Sequence, residues 1–202
     1  MKIYFYQTDI GKVCLAEDCG SITNLFFATD VTPQNVEICE TEIIKEASRQ
    51  LNCYLAGEIK DFSLPLVPYG TDFMRKVWKF LSEVPYGQTA SYKDIATAAG
   101  NPKAVRAVGL ANNKNPIPIF IPCHRIVGSD GKLVGYRGGL ALKKQLLGLE
   151  AKNRRRESML RLRESLIEAE EDRLAGKKGS SIDDVDEMMK KTIMEVTGGQ
   201  HK

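Results

Sequence analysis

The sequence predicts an α/β N-terminal domain, made of a small antiparallel sheet plus a helix, followed by a mainly α domain with a helix-turn-helix and a helical C-terminal extension. Three observations support this fold class. Runs rich in β-branched and aromatic residues come first, helical spacings of apolar residues begin near residue 41, and the end of the chain is highly charged. We place the domains at 1–68, 69–151 and 152–202.

The N-terminal domain begins with three predicted strands. The runs KIYFYQT and KVCLAED are separated by Asp9-Ile10-Gly11, which suits a hairpin turn, and SITNLFFAT resembles a third strand. From about Thr41 the apolar residues recur at three- and four-residue spacings, which predicts a helix that ends at Gly57. This domain contains no catalytic constellation, so we interpret it as a scaffold.

The second domain opens with an amphipathic helix, TDFMRKVWKFLSEV. Its apolar side is predicted to contain Phe73, Val77, Phe80 and Leu81. Ser91 can cap the next helix, SYKDIATAAG, and Pro102 suits the first turn of a third helix, PKAVRAVGLANN. Two short helices joined by Ala-Gly-Asn-Pro match a helix-turn-helix, with Lys103 and Arg106 on the second helix.

The segment NPIPIFIPCHR ends in Cys123, His124 and Arg125. Its three prolines predict an extended, rigid path, which would hold a nucleophilic cysteine in fixed geometry. Because neighbours on an extended strand point in opposite directions, we expect Cys123 and His124 to interact through a water or a bend. A glycine-rich loop, VGSDGKLVGYRGG, follows, and a short helix is predicted to end at Glu150.

The formal net charge of +3 hides an uneven distribution. Residues 1–70 carry a net charge of −5, residues 71–150 carry +7 and residues 151–202 carry +1. The basic middle is where an anionic partner would bind. No run approaches the ~20 consecutive apolar residues of a membrane span, and the N-terminus does not resemble a signal peptide. We therefore expect a cytoplasmic protein that does not bind membranes.

The number of cysteines is odd, and no two form a C-x-x-C pair. They are Cys14, Cys19, Cys39, Cys53 and Cys123. In a chain that is not secreted, this pattern argues against a disulfide framework. A tetrahedral zinc site would have to use the first four, which are scattered, so small buried thiols are the better interpretation and no metal is expected.

The C-terminal extension contains two predicted helices with narrow apolar seams. The first seam comprises Met159, Leu162, Leu166 and Ala169. The second comprises Ile182, Val185, Met189, Ile193 and Val196. Neither seam is wide enough for a deep core, so a helical hairpin that lies on the body or on a partner is favoured. Self-association, or binding of a protein partner, through residues 152–202 is one hypothesis.

The run Ile-Pro-Cys-His-Arg at 121–125 resembles the active-site signature of the O6-alkylguanine-DNA alkyltransferases, also called methylated-DNA–protein-cysteine methyltransferases. The resemblance extends over residues 84–150, where the helix-turn-helix, the cysteine, the Gly-Tyr-Arg-Gly-Gly loop and the final glutamate follow the family's order. The N-terminal third looks like the family's α/β domain. The resemblance does not cover the chain beyond about residue 152.

The resemblance implies a DNA repair protein that transfers an alkyl group from O6-alkylguanine in double-stranded DNA irreversibly to Cys123. A thiolate is a soft, strong nucleophile and suits attack on an sp³ carbon. His124 would act as the base, Glu150 would orient it, and Tyr92 would donate a proton toward the purine as it leaves. The damaged DNA itself is the methyl donor, so no cofactor is needed and each molecule acts once.

The resemblance also implies how DNA is bound. Arg106 matches the arginine that enters the stack after the damaged base is flipped, with the recognition helix in the minor groove. Further predicted DNA contacts are Lys103, Ala104, Arg125 and Ser91. Pocket and support residues are predicted at Asn115, which matches an asparagine that braces the turn before the active-site strand, and at Pro118, Tyr136, Arg137 and Gly138.

Two other classes of protein compete with this interpretation. A non-catalytic binder of alkylated DNA would lack the reactive thiol, whereas this chain retains Cys123, His124 and Glu150. A thiol hydrolase or redox sensor would react with acyl or peroxide substrates without DNA, and that function leaves the helix-turn-helix and the basic middle unexplained.

Overall fold

The structure is a computed structural model that describes residues 1–31, 33–176 and 182–197, without the side chains of residues 182 and 195–197. The chain divides into two units, the first from Met1 to Leu149 and the second beginning at Glu150. The predicted fold class is confirmed, with one difference in the sheet. The N-terminal sheet is mixed rather than purely antiparallel, because a fourth strand of two residues joins it.

The sheet lies at the start of the chain. Its strands are β1 (Lys2–Thr8), β2 (Gly11–Asp18), β3 (Ser21–Phe27) and β4 (Glu37–Ile38), arranged in the order β3-β2-β1-β4. The first three strands are antiparallel neighbours, as predicted, whereas β4 pairs in parallel with β1. Strand β4 has only two residues, both exposed, and two residues are too few for a periodic pattern, so the sequence could not predict it.

Helix α1 (Glu42–Ala56) packs on this sheet, as the apolar spacing predicted. The Thr41 hydroxyl accepts a hydrogen bond from the backbone amide of Ile44, and Gly57 ends the helix in the left-handed conformation with φ 78°. The apolar face of α1 is fully buried and includes Ile44, Ala47, Leu51 and Tyr54.

Three mutually packed helices follow, and a small parallel sheet accompanies them. The helices are α2 (Asp72–Ser82), α3 (Tyr92–Ala98) and α4 (Val105–Asn113), and the strands are β5 (Ala90–Ser91) and β6 (Ile126–Val127). Ser91 caps α3 in a capping box with Asp94, as a serine at this position favours.

The buried face of α2 differs from the predicted one. Phe73 is 36% exposed, so its predicted place on the apolar side is wrong. Trp78 is 2% exposed instead, and its indole N–H donates to the carbonyl of Ala111 on α4 at 2.8 Å. A tryptophan needs a partner for its N–H when buried, and a carbonyl on a neighbouring helix cannot be foreseen from the helical period.

The second helix of the helix-turn-helix begins later than predicted. Pro102 and Lys103 lie in the turn, and α4 starts only at Val105. The Asn101 side chain accepts the amide of Lys103 at 3.1 Å, and the Asn101 carbonyl accepts the amide of Ala104 at 2.9 Å. Because of these local hydrogen bonds, the residues around Pro102 form a non-helical turn, and the helix begins after them.

Helix α5 (Leu140–Leu174) is one continuous helix of 35 residues. The predicted end of a short helix at Glu150 is therefore wrong, because residues 151–156 contain only alanine, lysine, asparagine and arginine, with no glycine or proline to stop the helix. Helix α6 (Ile182–Thr197) follows. Within the described ranges, no helix has the length and apolar character required to cross a membrane.

Candidate active site

Cys123, His124 and Arg125 form a single 3-10 turn rather than the predicted extended strand. The chain before them also bends: Ile119 has φ 76°, and the amide of Ile121 donates to the carbonyl of Ile117 at 2.9 Å. Each proline fixes its own φ but leaves the φ of Ile119 free, so the chain can turn at Ile119. The backbone at Cys123 and His124 is therefore bent rather than extended, and the interaction of the two side chains through a water or a bend stays a prediction.

Asn115 braces this bend, as the resemblance implies. Its side chain is 1% exposed, donates to the carbonyl of Ile121 at 2.8 Å and accepts the amide of Ile117 at 3.0 Å. A hydrogen bond from the Asn115 side chain to the Cys123 sulfur also lowers the pKa of the thiol. Pro118, also predicted as support, is buried within the bend and forms a bridge to Ile121.

Cys123 is 2% exposed, and burial raises the pKa of its thiol from 9.0 to about 11. Asn115, Lys143 and Arg137 act in the opposite direction, but burial is the larger effect. In the free protein at neutral pH the sulfur is therefore protonated. Reactivity then depends on a group that removes the proton.

His124 is fully buried beside Cys123 in the chain, and its Nε2 lies 3.2 Å from the hydroxyl of Tyr54. Tyr54 comes from α1, in the domain that we interpreted as a scaffold. Sequence reasoning missed it, because its position in the apolar stripe of α1 is that of an ordinary core aromatic. The hydroxyl fixes the orientation of the imidazole.

Tyr92 reaches the site because β5 and β6 pair in parallel. The register places Ser91 beside Val127, so α3 begins next to the strand that leaves the Cys123 turn. The Tyr92 hydroxyl donates to the carbonyl of Val134 at 3.2 Å. Burial, and then the negative charge of a Cys123 thiolate, raise the pKa of Tyr92, so the phenol stays protonated as a donor must.

Tyr136 and Gly138 lie in the glycine-rich loop. Tyr136 is 9% exposed, and its ring lies 6.4 Å from that of His124. Burial and the charge of Cys123 raise its pKa well above the usual value. Among the described residues, the Tyr136 hydroxyl has no hydrogen-bond partner. A Cβ at Gly138 would lie 2.7 Å from the end of the Leu142 side chain and 3.0 Å from the Tyr136 ring, so any larger residue would require these side chains to shift.

Arg137 ties the loop to the N-terminal domain. Its guanidinium donates to both carboxylate oxygens of Asp30, at 3.1 and 2.8 Å, and to the carbonyl of Asn115 at 3.2 Å. Both side chains of the ion pair are less than one quarter exposed. Bidentate geometry makes this pair stronger than a typical surface ion pair, which gives Arg137 a supporting position beside the site.

Lys143 is a further site residue that sequence reasoning missed. It is fully buried on α5 and donates to the carbonyls of Ile126, Val134 and Gly135, the last two at 2.9 and 3.4 Å. Burial lowers the pKa of Lys143, and a thiolate at Cys123 would raise it. Its position could have indicated this burial, because Lys143 lies three residues before the buried Leu146 and so on the same side of the helix.

The predicted DNA-contact residues fall into two groups. Arg106 and Lys103 are exposed on α4 and in the turn before it, and Ala104 occupies the N-cap position of α4. Ser91 is partly exposed but is occupied by the capping box of α3. Arg125 is 5% exposed and donates to the carbonyl of Val84 at 2.6 Å, which argues against the predicted contact with DNA.

Glu150 is the first residue of the second unit, and its side chain is fully buried. A buried carboxylate is held by charged or hydrogen-bonding partners. Its predicted role as the group that orients His124 stays a prediction.

The cysteines other than Cys123 are free thiols, of which Cys14 is buried and Cys19 is exposed. Throughout the described ranges, no three cysteine, histidine or acidic side chains are grouped closely enough to hold a metal ion. The site itself combines a buried thiol, the adjacent imidazole and two protonated phenols, an arrangement that supports nucleophilic chemistry.

The raised pKa of Cys123 predicts a pH-dependent loss of stability. Because the thiol ionises near pH 9 in the unfolded chain and near 11 in the folded one, its contribution is present below pH 9 and is lost as the pH rises toward 11. We expect the free energy of urea unfolding to fall by up to about 3 kcal/mol more in the wild type than in Cys123→Ala over this range. The exposed Cys19→Ser is the control and should follow the wild type; equal slopes for all three proteins would contradict the prediction.

Sequence comparison identifies two family models along the chain. The model described as "6-O-methylguanine DNA methyltransferase, ribonuclease-like domain" matches residues 1–68. The model described as "6-O-methylguanine DNA methyltransferase, DNA binding domain" matches residues 72–152. Together they cover the N-terminal sheet, the helix-turn-helix and the Cys123 turn.

Several relatives are similar over the same part of the chain. A methylated-DNA–protein-cysteine methyltransferase of Methanosarcina barkeri is 57% identical over 154 residues, which cover 74% of this chain and 96% of that protein. The constitutive methylated-DNA–protein-cysteine methyltransferase of Bacillus subtilis is 48% identical over 151 residues, 71% of this chain and 92% of that one. Mycobacterium tuberculosis OGT, solved in complex with DNA, has a TM-score of 0.72 at 42% identity and covers 76% of this chain and 94% of its own.

Proposed function

Because the chain belongs to the 6-O-methylguanine DNA methyltransferase family, we propose that Cys123 is the atom that accepts the alkyl group from O6-alkylguanine in DNA. The activity of the chain is that of its relatives, methylated-DNA–protein-cysteine methyltransferase, which repairs DNA by alkyl transfer to a cysteine of the protein. The observation that carries the choice of cysteine is its buried thiol, which is next to His124 in the chain and close enough to Tyr92 and Tyr136 for its charge to raise the pKa of both phenols.

The transfer is a single displacement at the alkyl carbon. The proton of the Cys123 thiol passes to His124, and the sulfur forms a bond to the alkyl carbon while the bond from that carbon to O6 breaks. The electron pair of the broken bond stays on the purine, which takes up a proton from the Tyr92 phenol and remains in the DNA as guanine. The thioether has no route back, so each molecule acts once.

Binding of DNA to the helix-turn-helix supplies the substrate. The alkyl carbon cannot be reached inside a duplex, so the damaged nucleotide must be flipped out at a cost of a few kcal/mol of stacking. Arg106, exposed in the first turn of α4, is the side chain we assign to the vacated space in the stack, and Lys103 is positioned for a phosphate. The partially free hydrogen-bonding capacity of Tyr136 is available to the flipped purine.

Glu150 is assigned as the carboxylate that orients His124 for proton transfer. Its complete burial supports the assignment, since a solvated acid at a helix surface would be exposed. The further residues of the pocket, Pro118, Arg137 and Gly138, hold the turn and the loop in place. Asn115 does so as well, and it also donates a hydrogen bond to the Cys123 sulfur.

Arg106→Ala is expected to slow repair of duplex DNA by about tenfold to a hundredfold while leaving reaction with the free base O6-methylguanine within about twofold, because only the duplex requires flipping. Single-turnover kinetics with the two substrates measure the ratio. Lys103→Ala is the matched control: it should weaken duplex binding and reduce the salt slope by about one, without changing the rate at saturating DNA. An equal loss on both substrates for Arg106→Ala would contradict its assignment.

The test of the acceptor is a mass measurement. The protein is incubated with duplex DNA that contains O6-methylguanine, and the peptide with Cys123 is expected to gain about 14 Da, the mass of one CH₂. No gain, or a gain on Cys14, Cys19, Cys39 or Cys53, would overturn the assignment. A redox sensor or thiol hydrolase would instead show a peroxide- or acyl-dependent mass change without DNA.

A further inference from the structure

The first half of the second unit exposes an apolar face. On α5 beyond the family domain, Met159, Leu160, Leu166, Ile167 and Leu174 are between 46% and 73% exposed. At 100° per residue these five side chains lie within an arc of about 120°. The same arc also contains Arg156, Arg163 and Glu170, so this face combines large exposed apolar side chains with charged ones, as a surface that binds a partner does.

Helix α6 does not cover this stripe within the described residues. Its own apolar side chains Val185, Met188, Met189, Ile193 and Met194 are 46–72% exposed, so both helices of the unit present uncovered apolar surface. Among the described residues of this unit, the α5 face is therefore left uncovered.

The charges of α5 show which occupant fits. Residues 152–163 contain six basic side chains and one acidic side chain, whereas residues 164–174 contain five acidic side chains and one basic one. Arg155 and Arg156 are exposed and form no ion pair with any described residue, in contrast to Arg173, which is paired with Glu170. One helix thus carries a basic half and an acidic half.

We propose that the chain self-associates through this face, with the α5 helices of two copies packed antiparallel about a two-fold axis near residues 163 and 164. This arrangement places the basic half of each copy across from the acidic half of the other and brings Leu160 across from Ile167. Such an isologous contact is self-complementary in both shape and charge.

The same charges disfavour the other occupants. A parallel pair would place the basic halves side by side and the acidic halves side by side, which is repulsive. A nucleic acid or an anionic membrane would attract residues 152–163 but repel residues 164–174. Only a partner with the reversed charge order satisfies both halves, and a second copy supplies that order.

Sedimentation equilibrium of the full-length protein tests the proposal. We expect a concentration-dependent dimer in the wild type. Arg155→Glu with Arg156→Glu should weaken dimerisation at least about tenfold, because attractive pairs become repulsive in both symmetric halves of the interface. Glu171→Lys with Asp172→Lys, at the positions across from Arg156 and Arg155, should do the same. The protein that carries all four substitutions should recover dimerisation to within about threefold of the wild type, since the facing positions exchange their charges and stay complementary.

The apolar contribution is tested by Ile167→Asp, which should also give a monomer, with Glu168→Gln on the opposite side of the helix as a control that stays dimeric. Circular dichroism confirms that each variant keeps its helices, and each should retain alkyl transfer, which separates this proposal from the assignment of Cys123. A monomeric wild type, or a dimer that the four-substitution protein fails to restore, would overturn the proposal.

Discussion

Replacement of Cys123 by alanine is expected to remove alkyl transfer completely, with no 14 Da gain on any peptide and no loss of methyl groups from the DNA. The physical reason is that no other group in the site can take the role of the sulfur. The Tyr92 and Tyr136 phenols have raised pKa values and stay protonated, and burial alone would favour neutral groups throughout the site. Single-turnover transfer from a radiolabelled duplex measures the result.

The control for this variant is DNA binding. Cys123 is 2% exposed and lies in a turn that follows the helix-turn-helix in the chain, so Cys123→Ala should bind duplex DNA within about twofold of the wild type. Cys14→Ala removes another buried thiol, whose pKa is also raised to about 11 by burial, and should keep full transfer. Residual transfer in Cys123→Ala, or its loss in Cys14→Ala, would show that the reacting sulfur lies elsewhere.

Replacement of Asn115 by alanine is expected to have the second-largest effect, a loss of about 2–4 kcal/mol in the free energy of unfolding and at least about a tenfold slower transfer. Two buried backbone groups, the amide of Ile117 and the carbonyl of Ile121, would lose their partner, and the bend that leads to Cys123 would lose its brace. The hydrogen bond that lowers the thiol pKa would be lost as well, so thiolate formation would become harder.

Asn115→Asp separates these contributions. The aspartate keeps an oxygen that accepts the Ile117 amide but has no N–H for the carbonyl of Ile121 or for the sulfur, so its stability should lie between those of the wild type and Asn115→Ala. Its transfer should nevertheless be as slow as that of Asn115→Ala, because a buried negative charge next to Cys123 raises the thiol pKa further. Urea unfolding and single-turnover kinetics measure the two quantities; wild-type stability in both variants would contradict the brace.

The regular elements could be predicted because their sequences carry local signals. The β1–β2 hairpin consists of runs rich in β-branched and aromatic residues around a turn, and α1 has a helical spacing that begins after Thr41 and ends at Gly57. The predictions that were wrong concern places without a period. The bend at Ile119 and the start of α4 depend on individual hydrogen bonds from Asn115 and Asn101, and the length of α5 depends on the absence of a stop signal.

The sequence by itself determined the fold class, the helix-turn-helix and the run around Cys123, because these are local patterns of residue type and spacing. Only the tertiary structure decided which side chains surround the sulfur. Tyr54 from α1, Lys143 from α5 and Asp30 after β3 reach the site through contacts between residues distant in the chain. In the sequence, Tyr54 lies in an ordinary apolar stripe, Lys143 in a helix with other charged residues, and Asp30 in a loop. Long-range packing brings them together, and that packing leaves no signature in the local sequence.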